Sequence, residues 1–174
     1  MKTLDAHLAN YAAYHRDTRN IATHFVGIPM IVVSVAILLS KLTVLIVGWR
    51  FSAAAVVAAG ASLFYLNLNR PIGILMSILM ALSVWAGYAA AAQDTQTWLM
   101  LGVGGFVVGW IIQFVGHVFE GRKPAFVDDL TGLIIGPLFV ACEALFMLGM
   151  CLELKAQIEA VVGPTRSGKI SKPA

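Results

Sequence analysis

Residues 20–40 read NIATHFVGIPMIVVSVAILLS, and this stretch decides the fold. It lies between Arg19 and Lys41 and carries no formal charge over 21 residues. A helix of about 20 apolar residues crosses the hydrocarbon core of a bilayer. The charges at Arg50, Arg70, Asp94 and Glu120 delimit three more such runs, and a fifth, 130–152, is interrupted by Glu143 and by Gly136-Pro137. Over the whole chain 59% of residues are hydrophobic and 12% charged, against about 25% charged in an ordinary soluble domain. A chain of 174 residues has too small an interior to hide that apolar surface, so lipid must cover it. The expected fold is all-α: a polytopic membrane bundle of about five hydrophobic helices preceded by an amphipathic N-terminal helix.

Leu4, Leu8, Tyr11 and His15 recur at helical spacing and predict that entry helix over 4–15. Asp17 or Thr18 is placed to cap the helix that follows. The predicted spans are 21–40, 52–68, 72–91 and 97–120, with Pro29 expected to kink the first. Asn69-Arg70-Pro71 is short enough only for a tight antiparallel turn. Gly102, Gly104, Gly105 and Gly109 should let a neighbouring helix approach closely. Segment 129–154 either crosses fully or forms a re-entrant hairpin broken at Pro137, with Asp128 and Asp129 as loop and cap residues. Residues 1–162 are expected to form one membrane domain and 163–174, rich in Gly, Pro, Lys and Ser, a flexible tail. The first 19 residues are charged and lack an apolar centre, so no cleaved signal peptide is expected. Cys142 and Cys151 fit no metal spacing and read as small buried hydrophobes.

Four crossings return the chain to its starting side. His15 and His24, which precede and open the first span, therefore share a membrane face with His117 near the end of the fourth. Lys2, Arg16, Arg19, Arg70, Arg122 and Lys123 lie on that side, and only Lys41 and Arg50 on the other. The positive-inside rule then makes the histidine face cytoplasmic. A bacterial inner membrane is expected, or the endoplasmic reticulum membrane in a eukaryote. The basic tail, Arg166, Lys169 and Lys172, suits anionic lipid headgroups. No basic patch is interleaved with aromatics, which argues against nucleic acid as a partner. Composition leaves the oligomeric state open.

Ionisable residues are costly beside lipid, and imidazole is the commonest metal ligand. His117 and Glu120 are three apart, about 60° from one another on a helix, so both can aim at one point. Gln113 lies one turn before His117. His15 and His24 are nine apart and would face opposite sides of an unbroken helix, so a break near Asp17-Thr18 is required for both to bind one ion. Asn20 and His24 share a face without help. The expected ligand set is two or three imidazoles, from His15, His24 and His117, with the Glu120 carboxylate, of a type that suits non-haem Fe(II) or zinc. Asn20, Gln113 and Glu143 are supporting polar residues, Glu143 either orienting an imidazole or pairing with a basic residue. Read singly, His117 is also explained as an interfacial histidine bonded to a carboxylate, and Glu120, Arg122 and Lys123 as a solvated loop. His7 has no partner at metal spacing and is assigned to the surface.

Two blocks, Tyr14-His15-x4-Asn20-x3-His24-x4-Pro29 and Gly109-Trp110-x2-Gln113-Phe114-x-Gly116-His117-x2-Glu120-x3-Pro124-Ala125, closely resemble the membrane family of 2-hydroxy fatty acid dioxygenases. Gly136-Pro137-Leu138-Phe139-x3-Glu143 resembles it as well, and the likeness covers roughly residues 10 to 150. The resemblance implies an Fe(II)-dependent dioxygenase that shortens 2-hydroxy fatty acids by one carbon with O2. It implies His15, His24 and His117 as the matching histidines and Asn20, Glu120 and Glu143 as matching polar positions. Arg122 or Lys123 would pair with the substrate carboxylate. Two other classes stand beside it: a zinc-dependent membrane hydrolase with the same ligands, and a non-enzymatic transporter or assembly factor with structural histidines. The absence of an internal repeat and the clustering of polar groups at one face count against a transporter.

Overall fold

The computed structural model describes residues 2–125 and 130–167. Asp128, Asp129, Lys169, Lys172 and most of the predicted tail lie outside them. In chain order the elements are α1 (Leu4–Ala12), α2 (Thr18–Ser40), β1 (Thr43–Ile46), β2 (Trp49–Ser52), α3 (Ala53–Leu68), α4 (Arg70–Ala91), α5 (Thr95–Leu99), a π-helical turn (Met100–Gly104), α6 (Gly105–Glu120), α7 (Gly132–Met147) and α8 (Leu152–Val162). The architecture is that of an all-α membrane protein, as the uncharged runs predict. Among the described residues three helices, α2, α4 and the continuous Thr95–Glu120, are long and apolar enough to cross a bilayer, and the bent α7–α8 pair brings the number to four at most. The chain divides into two compact units, Pro29–Trp110 and the residues on either side of that segment.

Within Pro29–Trp110, α3 and α4 form an antiparallel hairpin. Asn69 caps α4 by accepting the Ile72 N–H at 3.1 Å, and Pro71 sits in the first turn, where its missing donor is harmless. At Gly73 a Cβ would come within 2.6 Å of the Leu66 backbone, so only glycine permits this contact. Gly102 and Gly105 play the expected part against Leu38 and Ser34, whereas Gly104 faces open space. Trp85, Leu63, Ile74 and Leu82 are exposed, as suits lipid.

The sequence reading misses one element here. Residues 43–52 form a two-stranded antiparallel hairpin, Thr43 opposite Ser52 and Ile46 opposite Trp49. Its turn residues, Val47 and Gly48, have φ of 48° and 82°, the positive values that match the strand twist in two-residue loops. Ser52 ends β2 and caps α3, accepting the Ala55 N–H at 3.1 Å. At 16 residues α3 is therefore shorter than the other spans.

In the other unit α1 packs on α7 and α8, burying Leu8, Tyr11 and Ala12 with Ile135, Leu138, Phe139 and Ile158. Neither inner proline ends its helix, and the fifth segment is not broken at Pro137, where the re-entrant alternative placed the break. The helix α2 continues through Pro29, and α7 continues through Pro137. The break in the fifth segment comes later, where Gly149 and Cys151 take positive φ and α8 leaves α7 at 116°. Cys142 is buried as expected, but Cys151 is exposed at this bend.

Candidate metal centre

His15 sits on the connection that reverses the chain between α1 and α2. The Tyr14 and His15 N–H groups still bond back to the carbonyls of Tyr11 and Ala12, but the helix has ended at Ala12 and α2 starts only at Thr18. This is the break that the nine-residue spacing requires. Asp17 anchors the new helix: its carbonyl accepts the Ile21 N–H, and its carboxylate accepts the Arg19 N–H at 2.9 Å. His24 follows on the second turn of α2, and His117 comes from the last turn of α6.

The three rings converge. Their centroids are 4.5 Å apart for His15–His24, 4.9 Å for His15–His117 and 5.3 Å for His24–His117. Each offers a ligand nitrogen, and these atoms all lie within 4.8 Å of one another. All three side chains are buried, His15 completely.

Hydrogen bonds fix which nitrogens are free. His15 Nδ1–H donates to the Tyr11 carbonyl at 2.7 Å, which leaves Nε2 as a lone-pair donor. His24 Nδ1–H donates to the Asn20 carbonyl at 2.8 Å, leaving its Nε2 likewise. The His15 Nε2 and His117 Nδ1 atoms are buried without a hydrogen-bond partner. Buried polar groups are rarely left so. Burial, and then the neighbouring His24 and His117, hold the His15 pKa well below the usual imidazole range, so this ring is neutral and can act as a ligand. Three imidazoles with converging nitrogens fit a borderline transition-metal ion.

Second contacts set the ring planes. Tyr11 stacks on His15 with centroids 4.1 Å apart and planes 6° apart, and Phe139 lies 5.6 Å from His15. Gly116 allows α6 to meet α2, since a Cβ there would overlap Asn20 Oδ1 and Thr23 Oγ1. Gln113, one turn before His117, is buried with no acceptor for its Nε2, and Asn20 Oδ1 also lacks a donor.

Glu120 stands differently from the expected fourth ligand. The converging group consists of the three histidines, and Glu120 is outside it. Its Oε2 accepts the backbone N–H of Arg16 at 3.0 Å and of Asp17 at 2.8 Å, and Asn20 Nδ2 at 3.2 Å. Its Oε1 accepts Arg166 Nη2 at 3.0 Å. A carboxylate with four donors has little lone-pair capacity for an ion, and it acts here as the tie between α6 and the His15 connection. Asn20 meets His24 through its backbone carbonyl, while its side-chain amide donates to Glu120. Glu143 pairs with Arg16 at 4.0 Å, the second of its two expected roles. Arg122 and Lys123 are exposed in the turn after α6, where Arg122 donates to the Ala13 carbonyl at 2.9 Å.

The sequence reading overlooks Tyr11, Arg16 and Arg166 as parts of this site. Tyr11 has a legible signal, one helical turn before His15 on the buried face. His7, read as surface decoration, lines with Tyr11, Tyr14, Thr131 and Ile135 a cavity of about 270 Å³. That cavity sets open space against the ring stacked on His15.

A family model described as "2-hydroxy-palmitic acid dioxygenase Mpo1-like" matches residues 1–148. A relative from Saccharomyces cerevisiae, 2-hydroxy-palmitic acid dioxygenase MPO1, is 34% identical over 158 residues, covering 90% of this chain and 87% of that protein. No solved structure matches.

Proposed function

The chain belongs to the Mpo1-like family, and from that premise we propose that it is an Fe(II)-dependent membrane dioxygenase that uses O2 to shorten 2-hydroxy fatty acids by one carbon. The observation that carries this reading is the convergence of three buried imidazoles whose ligand nitrogens lie within 4.8 Å of one another. A ferrous ion would be held by His15 Nε2, His24 Nε2 and His117 Nδ1. When bound, such an ion supplies the electron transfer through which O2 reacts with an organic acid.

The remaining work falls to side chains. Tyr11 and Asn20, through their carbonyls, keep two rings in the tautomer that presents Nε2. A 2-hydroxy carboxylate carries oxygens that can accept the unpaired Gln113 Nε2–H, which orients the acid head. Arg122 and Lys123 place positive charge at this end of α6 and draw the carboxylate toward it. The acyl chain is compatible with the lipid around the spans. On the positive-inside rule the site faces the cytoplasm of a bacterial inner membrane, or lies in the endoplasmic reticulum membrane if the source is eukaryotic.

The test is anaerobic purification with Fe(II), then incubation with 2-hydroxy fatty acids of several lengths under O2. The expected result is an acid one carbon shorter, formed in step with O2 uptake and only by iron-loaded protein. Turnover without O2 uptake would point to a hydrolase. Failure to retain iron at all would remove the metal reading.

A further inference from the structure

The family match ends at residue 148, yet the connection that carries His15 is held from beyond it. Arg166 N–H donates to the Arg16 carbonyl at 2.8 Å, and Thr18 N–H donates to the Arg166 carbonyl at 2.9 Å. Together these make a parallel bridge beside Asp17. Arg16 Nη1 in turn donates to the Gly163 carbonyl at 2.7 Å. From the same residue the Arg166 guanidinium reaches Glu120 at 3.0 Å, where the carboxylate side chain is only 1% exposed. Glu120 is also the acceptor for the Arg16 and Asp17 N–H groups. The backbone next to His15 is thus gripped on one side by α6 and on the other by the C-terminal segment, and Arg166 joins both grips.

We propose that Arg166 is a positioning residue for the three-imidazole centre. By compensating the buried Glu120 charge and bridging Arg16 to Thr18, it holds the His15 ring where its Nε2 meets His24 and His117. Removing its side chain leaves the two backbone bonds but uncouples the segment from Glu120, so the connection loosens and the centre loses affinity for a divalent metal. A buried carboxylate stripped of its cation is costly, so the Glu120 grip loosens with the strap. The proposal rests on the metal reading of the three histidines, and its tests separate the two.

Three proteins are compared in detergent or nanodisc: wild type, Arg166→Ala and Arg166→Lys, with Lys155→Ala as a control for loss of the half-buried Lys155–Glu159 pair on α8. Co(II) binding is titrated by its visible absorption, and amide hydrogen exchange is followed without metal. Arg166→Ala should weaken Co(II) binding about 10- to 100-fold, the usual cost of losing an outer-shell partner. Exchange should speed up in peptides covering 13–18, with those covering α3 and α4 unchanged. Arg166→Lys should recover most of both, and Lys155→Ala should move neither. Wild-type exchange at 13–18 in Arg166→Ala overturns the clamp and leaves the metal reading standing. Faster exchange with unchanged Co(II) affinity overturns the positioning role. If the wild-type protein binds no Co(II), the metal reading falls and takes this proposal with it.

Discussion

The two units treat buried polarity in opposite ways. Within Pro29–Trp110 the buried polar residues are serines: Ser34, Ser40, Ser52 and Ser83. Ser40 and Ser83 return their hydroxyls to carbonyls one turn back, and Ser52 caps α3 and meets the Tyr88 hydroxyl at 2.8 Å. Apart from the Ser52–Tyr88 contact, these bonds stay within one helix. Among the described residues of the other unit the buried polar ones are His15, Arg16, Asp17, Asn20, His24, Gln113, His117 and Glu120, and several bond between elements about a hundred residues apart. Among the described residues, every buried side-chain polar atom without a partner belongs to that unit: His15 Nε2, Asn20 Oδ1, Gln113 Nε2, His117 Nδ1 and Arg166 Nε. Unsatisfied buried polar atoms cost about 1–3 kcal/mol each. Their concentration in one unit, with none in Pro29–Trp110, supports the proposal that a metal ion and substrate occupy this site.

The harshest way to break this contrast is to remove an imidazole. His24→Ala and His117→Ala should each lose iron and turnover completely while membrane insertion and the helicity of the Pro29–Trp110 unit persist. Metal analysis and circular dichroism of the purified variants check this, and iron retained at full stoichiometry in both would sink the ligand assignment. Gly116→Val comes next. Its side chain would enter the space of Asn20 and Thr23, so overpacking of about 1–3 kcal/mol is expected, together with weaker metal binding. Ser83→Ala in the other unit is the matching control: it should cost no more than about 0.5–1.5 kcal/mol, one neutral hydrogen bond, and leave metal binding unchanged.

The same contrast explains what could be read from the sequence. Charge spacing suffices for α2, α4 and α6, because lipid burial acts on every residue of a span. The glycines at 102 and 105 were legible for a similar reason, as close approach has only one residue type to use. The 43–52 hairpin was hidden because Thr43-Val44-Leu45-Ile46 is an apolar run that helix and strand share, and the deciding feature is the positive φ at Val47-Gly48. The histidines were legible as residue types that lipid does not tolerate idly, and their spacing even demanded the break after Ala12. Glu120 was not. Its partners are the backbone amides of Arg16 and Asp17, and a backbone N–H leaves no mark in a sequence. Arg166 belongs to a stretch whose composition reads as flexible, yet two backbone bonds seat it beside Asp17.

A finer probe is Gln113→Leu, which keeps volume but removes the unpaired donor. If that donor meets substrate oxygen, kcat/KM should fall about 10- to 100-fold, in line with one lost buried hydrogen bond, with iron content unchanged. Wild-type kinetics would return Gln113 to a packing role and shrink the site to its three imidazoles. Gln113→Glu separates shape from donation, since it preserves size and offers an acceptor in place of the amide.

The smallest effect expected is a pH effect in the satisfied unit. Asp94 caps α5, accepting the Thr97 N–H at 3.0 Å and the Thr97 hydroxyl at 2.6 Å. These donors lower its carboxyl pKa below the ordinary value. A lowered folded pKa means that the cap stabilises fully above the ordinary carboxylate range, and that its contribution fades as pH falls through the folded value. Asp94→Asn keeps an N-capping oxygen and removes the titration. Its melting temperature should therefore match the wild type to within about 2 °C at neutral pH. Between about pH 5 and pH 3 its curve should be slightly flatter than that of the wild type. An acid sensitivity much larger than this, traced to Asp94, would mean that the Pro29–Trp110 unit carries a charge coupling of the kind so far confined to the histidine-bearing one.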